Sequence, residues 1–468
     1  MPPAPVRPML RDRPVRPEHA PAPLPLAVRA ALGLYGLAWR ALTPGLKRNA
    51  RLAEGWAERT LAAGMPPKAD LWLQAASGGE AYLAWELLRR LPDALAGLRP
   101  QGSAPLRVFV TTFTSQGLGV LEQAKADLAP GLELRPAYFP FDLPGRMRKV
   151  LDAVQPRAVA LLETELWPGL LAACRERGVP ALVLNGRMTD KSLRGYSTLP
   201  WLWRALAPAQ VLAVSAEDAG RFAQVFGQKL AGPERLGPER IGVMPNIKFD
   251  RLRFDAPGTQ EQQPPFADLI PPQENWAAPF VVLGSVRKEE EADVLQIIQG
   301  LLKARPTTVI GLFPRHLRRV CVWERTLREA GLPFALRSEN RPAEPGSVLL
   351  WDEFGELGAA FSLARAAFLG GSLADLGGQN FLEPLAHGVV AVTGPSWSNF
   401  AWVGREIFEA GIVRRAGDWQ GVLAEISGLV AETPDRAGVR ARAAAYAASR
   451  RGGALAACQA VAERLRSA

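Results

Sequence analysis

The chain has 468 residues, 48% hydrophobic and 22% charged; it is a folded globular protein, too long for one core, and calls for two domains. Three cysteines (Cys174, Cys321, Cys458) and three histidines (His19, His316, His387) lie far apart, which argues against a disulfide framework or a cysteine- or histidine-built metal site and fits a reducing, cytosolic setting. Of the net charge of +10, more than half falls in positions 1–50, yet no basic and aromatic stripe or DNA-reading motif follows, so nucleic acid is not the expected partner. Residues 1–25 are rich in proline and arginine and read as a disordered tail. Leu24–Leu46 is apolar but broken by Arg29 and Arg40, leaving an uncharged core of ten residues, Ala30–Trp39, too short to span a bilayer. Residues 26–50 fit an amphipathic helix lying in a membrane interface, with Tyr35 and Trp39 at headgroup level and the arginines on anionic lipid. The same apolar periodicity also fits a helix packed on the protein body.

From about residue 70, strand-like apolar runs alternate with helical stretches. The runs are Leu71–Ala76, Arg107–Thr112, Leu134–Phe139, Ala158–Leu162, Ala181–Leu184, Val211–Val214 and Ile241–Met244, with helices such as Ala81–Leu91 and Pro168–Arg177 between them. A Pro/Gln-rich connector within residues 251–278 precedes a second series: Phe280–Ser285, Thr307–Phe313, Ser347–Trp351, Ala366–Leu369 and Val389–Val392. Continuous apolar strands separated by helices mean parallel sheets covered on both faces. The expected fold is α/β: two Rossmann-like, doubly wound domains, residues 51–250 and 279–468, facing across a cleft. The alanine-rich stretch from Pro434 onward reads as helix belonging to the second domain.

Polar motifs gather where strands end, which is where open α/β sheets bind ligands. Ser77-Gly78-Gly79-Glu80 follows the first run; Glu80 has the spacing of a helix-capping box and equally that of a general base at a cleft floor. Glu163-Thr164-Glu165-Leu166-Trp167-Pro168 offers two acids and a flat apolar face. Asn185–Ser192 brings Arg187 and Lys191 into one loop suited to carboxylates or phosphates. In the second half, Ser285 and Pro314-Arg315-His316 follow strands, Arg315 as a phosphate ligand and His316 as a partner for a base or ribose. Glycines 370, 371, 377 and 378 precede Asn380 and Glu383, where a helix is expected to start. Free amides of that turn and helix could hold a phosphate without a metal. No G-x-G-x-x-G fingerprint, Walker A loop or G-x-S-x-G elbow occurs.

With these motifs in order, the chain resembles the 3-deoxy-D-manno-octulosonic acid (Kdo) transferases of lipopolysaccharide synthesis over roughly residues 25–430. The matching segments are AASGGE (75–80), ETELWP (163–168), NGRMTDKS (185–192), NIKFD (246–250), GS (284–285), PRH (314–316), GEL (355–357) and GGSL…GGQNFLEP…GP (370–395). The resemblance implies a B-type (GT-B) glycosyltransferase with CMP-Kdo as donor and lipid IVA as acceptor, at the cytoplasmic face of the bacterial inner membrane. It needs no metal or cofactor. It also implies that Glu80 is the catalytic base and Glu163 its companion acid. Lys248, Ser285, Arg315, His316, Gly371, Gly378, Asn380 and Glu383 fall on the donor side, with Glu383 on the ribose. Ser77, Gly79, Arg187 and Lys191 fall to the acceptor or a substrate anion.

Some positions depart from the family pattern. Gln74 and Gln379 stand where histidine is common, Phe381 where proline is, and Pro245 replaces a glycine before the lysine motif. Gln379 keeps hydrogen bonding but cannot titrate. A UDP- or GDP-sugar transferase acting on another membrane lipid is the alternative enzyme reading. A non-enzymatic membrane scaffold is a third, which gives no reason for polar motifs at so many strand ends.

Overall fold

A computed structural model describes residues 21, 23–96, 104–128, 131–227, 240–254, 264–271 and 278–467. The expected disordered tail lies almost wholly outside these residues, as does most of the expected connector. The chain divides into two compact units, Met1–Arg251 with Arg450–Ala468, and Leu252–Ser449.

The first unit carries a seven-stranded parallel sheet: β1 (Leu71–Gln74), β2 (Leu106–Thr112), β3 (Leu132–Tyr138), β4 (Ala158–Leu162), β5 (Ala181–Gly186), β6 (Gln210–Ala213) and β7 (Ile241–Val243), in the order β3-β2-β1-β4-β5-β6-β7. Side chains alternate across it as a pleat requires. Trp72, Val159, Leu161 and Val183 join the core on one face, and Leu71, Leu73, Ala160 and Leu182 join that on the other. Both faces being covered, β1, β4 and β5 are buried along their whole length, which is why their sequences read as unbroken apolar runs. β1 lies between β2 and β4, so the chain reverses direction of winding there.

The second unit repeats the plan with β8 (Phe280–Val286), β9 (Val309–Pro314), β10 (Phe334–Leu336), β11 (Val348–Leu350), β12 (Ala366–Leu369), β13 (Ala391–Thr393) and β14 (Val413–Arg415), ordered β10-β11-β9-β8-β12-β13-β14. Its reversal falls at β8, between β9 and β12. β10 and β14 were not expected from sequence; both are three-residue edge strands without a buried apolar run to announce them.

Two expectations are corrected. The helix Gly453–Ser467 belongs to the first unit, not the second. Ala454, Ala457, Cys458 and Val461, at helical spacing, are fully buried on the same sheet face as Leu83, Leu87 and Leu91 of the helix Gly78–Leu95. Asp250 holds its start, accepting the N–H groups of Gly452 (2.8 Å) and Ala454 (2.7 Å). Second, the N-terminal helix Leu26–Leu46 turns Tyr35 and Trp39 toward the protein, not toward headgroups. The Tyr35 hydroxyl donates to Asp142 (3.0 Å), and Trp39 packs on Phe141 with ring centroids 5.5 Å apart. Val28 and Leu32 are buried on the same face, while Leu26, Leu34 and Leu37 are 79%, 70% and 59% exposed on the other. No helix among the described residues is long and apolar enough to cross a membrane.

Candidate active site

In the first unit the polar motifs converge on the carboxyl ends of β1, β4 and β5. Ser77 caps the helix Gly78–Leu95, its hydroxyl oxygen accepting the Glu80 N–H at 3.3 Å. The Glu80 carboxylate in return accepts the Ala76 N–H (2.7 Å) and the Ser77 hydroxyl (3.0 Å). This is half of a capping box: the Ser77 hydroxyl takes the Glu80 N–H, but the carboxylate goes to the amide of Ala76, one residue before the cap, and not to that of Ser77. These bonds fix the carboxylate's position without accounting for its charge state: Glu80 is 9% exposed, and its pKa rises to about 7 through burial first, then repulsion from Glu165 and Glu163. Burial, then Glu163, raises Glu165 as well. Gly78 has a packing reason, since a Cβ would lie 2.8 Å from the Gln116 side chain, whereas Gly79 is open to solvent.

Glu163 stands just past β4 in a left-handed conformation (φ 57°), which a non-glycine residue adopts only where its surroundings impose it. Its carboxylate meets the Lys248 ammonium at 2.8 Å. Lys248, expected on the donor side, thus sits in the first unit as Glu163's partner. Asn185 is also left-handed (φ 57°), at a register shift of β5, and is fully buried. Its side-chain oxygen accepts the Ile247 N–H (2.9 Å), tying the 185–192 segment to the one that bears Lys248. Arg187 is half-buried and Lys191 exposed; neither is ion-paired among the described residues. Gln74 is buried and accepts the Thr111 hydroxyl, which in turn accepts the Trp72 indole N–H at 2.8 Å. In this chain the position belongs to a core network.

In the second unit a cavity of about 630 Å³ opens at the ends of β8, β9 and β11. Ser285, Arg315, His316, Arg318, Glu353 and Glu383 are its polar lining, and Phe313, Trp351 and Phe354 its aromatic one. Ser285 sits at a register shift of β8 with φ 58°, the third left-handed strand end. Arg315 and His316 are exposed at the mouth. Desolvation and then the nearby Arg318, Arg287 and Arg315 lower the His316 pKa. Glu383 reaches solvent through the cavity, yet enough protein surrounds its carboxylate to raise its pKa. Phe313 and Trp351 stack at 4.2 Å, and the Trp351 indole N–H donates to Glu356 (2.8 Å), which Arg337 also holds.

The glycine turn does not do what its sequence promised. The N–H of Gly370 donates to Gly284 O (2.8 Å), that of Gly371 to Glu290, that of Gly377 to the Ser396 hydroxyl (2.9 Å) and that of Gly378 to Gly371 O (2.8 Å). These amides are spent inside the fold. Glycine is required instead for conformation and space: Gly371, Gly377 and Gly378 have φ of 67°, 80° and 73°, and a Cβ on Gly377 would meet Asn399 at 2.6 Å. The expected helix is also later and shorter, Glu383–Ala386, with Asn380 exposed and its side chain accepting the Leu382 N–H at 3.2 Å. Four residues carry little dipole, so this helix start is not built to hold a phosphate. Glu290 is the residue that sequence reasoning missed. Only 1% exposed, it accepts amides from Arg287, Gly371 and Leu373, and its only signal was the three-residue spacing from Arg287.

Two parallel, doubly wound sheets with polar clusters at their strand ends are the architecture of GT-B glycosyltransferases. A glycosyltransferase from Rickettsia africae has this fold with a TM-score of 0.50, covering 85% of this chain and 98% of that one, at 9% identity, a likeness of fold alone. Residues 54–251 match the family model for 3-deoxy-D-manno-octulosonic-acid transferase. The 3-deoxy-D-manno-octulosonic acid transferase of Bordetella pertussis is 31% identical over 90% of this chain and 96% of its own length; that of Haemophilus influenzae is 30% identical over 74% and 75%. The chain belongs to the Kdo transferase family of glycosyltransferases.

Proposed function

We propose that the protein moves Kdo from CMP-Kdo to the 6′-hydroxyl of lipid IVA with inversion at the anomeric carbon. The observation that carries this reading is Glu80, a buried carboxylate held at about pKa 7 beside two further glutamates at the winding reversal of the first sheet. Glu80 takes the proton of the acceptor hydroxyl as its oxygen bonds to the anomeric carbon, and the bond from that carbon to the CMP phosphate oxygen breaks. Glu163 acts with Lys248, its ion-pair partner at 2.8 Å, as the companion acid beside the base. Arg315, with Ser285 beside it, takes the leaving phosphate, Glu383 the ribose hydroxyls and His316 the base. Gly371, Gly378 and Asn380, expected on the donor side, are not among the residues that line the second unit's cavity and are given no contact with the donor. Ser77, Gly79, Arg187 and Lys191 face the acceptor. The outward leucines of the N-terminal helix rest on the inner leaflet of the bacterial inner membrane, at its cytoplasmic face, where such an acceptor resides.

Mass spectrometry of lipid IVA incubated with the protein and CMP-Kdo tests the whole reading. Addition of Kdo is expected, and Glu80→Gln is expected to lower the rate by roughly 10²–10⁴-fold while CMP still binds. Transfer from UDP- or GDP-sugars with none from CMP-Kdo would overturn the donor. Near-normal turnover by Glu80→Gln would remove it from the base role.

A further inference from the structure

Asp142 is a fully buried carboxylate that the reaction above does not use. It follows β3, and both its oxygens are committed. They accept the N–H groups of Gly169 (2.7 Å) and Leu170 (2.8 Å), the first free amides of the helix Pro168–Arg177. That helix has no side-chain cap of its own, so Asp142 supplies it from a different strand. The fit is tight: a Cβ at Gly169 would lie 2.7 Å from both the Asp142 main-chain oxygen and its Oδ1. The third partner is the Tyr35 hydroxyl of the N-terminal helix, 3.0 Å from Oδ2.

The helix that Asp142 caps begins where the turn bearing Glu163 and Glu165 ends. Trp167, the last residue of that turn, packs against Phe113 and Phe139 with centroids 4.9 and 5.3 Å apart. The turn is therefore fixed at one end by the Glu163–Lys248 pair and at the other by Asp142. Tyr35, Trp39 and Gly36 bring the N-terminal helix onto the same Phe141–Pro144 segment.

We propose that Asp142 is a positioning residue: through it, docking of the N-terminal helix by Tyr35 sets where the Glu163–Glu165 turn stands relative to Glu80. The proposal rests on the reading of Glu80 as base. Tyr35→Phe removes one hydroxyl and leaves the packing, and Asp142→Asn removes an acceptor. Both are expected to lower kcat by roughly ten- to a hundredfold with KM for CMP-Kdo unchanged. They should also move the acid limb of the pH–rate profile to lower pH, because Glu165, toward the freed end of the turn, recedes from Glu80 while Glu163 stays paired with Lys248. Hydrogen–deuterium exchange at Gly169 and Leu170 should quicken in Tyr35→Phe, a readout independent of activity. Loss of melting temperature alone, with kcat per folded molecule, acid limb and exchange all as in the parent, would reduce Asp142 to a packing residue and overturn the proposal. Glu80→Gln run beside them separates the two failures. An active Glu80→Gln defeats the base assignment, whereas an inactive one beside parental Tyr35→Phe and Asp142→Asn defeats the positioning role.

Discussion

A general base at neutral pH must be poised between its two protonation states, and Glu80 reaches that condition mainly by being buried. Its activity should rise with pH through about 7, since the ionised form is the one that accepts a proton. Glu165→Gln removes the larger of the two repulsions and should shift that acid limb down by a fraction of a pH unit, not more, because burial remains. An unmoved limb in the pH–rate profile would mean that Glu165 does not act on Glu80. Stability runs the other way. The folded pKa of Glu80 lies above its free value of 4.5, so its favourable contribution is complete below that pH and lost as pH rises through about 7. At pH 8 the buried charge costs on the order of 2–3 kcal/mol. Thermal melting of the inactive Glu80→Gln protein should therefore show a gain at pH 8 and none at pH 5. Sequence presented capping and catalysis at this residue as alternatives. In the structure the cap is the Ser77 hydroxyl, and the carboxylate, held by that hydroxyl and by the Ala76 N–H, takes no helix amide and stays available for the base role proposed above.

At the scale of elements, what could be read from sequence was whatever local composition decides. Strands covered on both faces announce themselves as apolar runs, and Pro168–Arg177 has proline at its start and Gly178 after its end, so its limits were read without error. Partners distant in sequence were not legible. The Gly371 amide is taken by Glu290, some eighty positions away, and no local pattern shows that. The same holds for Asp250, which reads as the end of a substrate motif and proves to be the cap of a helix two hundred residues on. Asp250→Ala leaves one buried and one partly buried N–H group without their acceptor and should cost about 2–4 kcal/mol. The expected sign in hydrogen exchange is early opening of Gly453–Ser467 ahead of the sheet. A variant whose midpoint in urea matches the parent would show that the cap contributes nothing.

At the scale of the molecule, the number of domains and the class of each sheet followed from length and alternation, but the boundary did not. An alanine-rich helix carries the same pattern whichever sheet it covers, so the last helix was assigned by proximity in sequence and not by contact. Its return makes the first unit discontinuous and the second, Leu252–Ser449, a single uninterrupted segment. The energetics are one-sided. Val461 and Leu465, at 0% and 5% exposed, together contribute about 3–6 kcal/mol by burial, a large share of the roughly 5–15 kcal/mol that holds a typical domain together. Removing the helix also uncovers the buried leucines of Gly78–Leu95. A polypeptide of residues 1–251 should therefore aggregate, and one in which residue 251 is joined by a short flexible linker to 450–468 should be soluble and melt cooperatively. Residues 252–449 made alone should fold and keep affinity for CMP, since the cavity of that unit is lined wholly from within it. Calorimetry of the three polypeptides decides the matter: a cooperative transition in residues 1–251 without the helix would show that the first unit does not depend on its return.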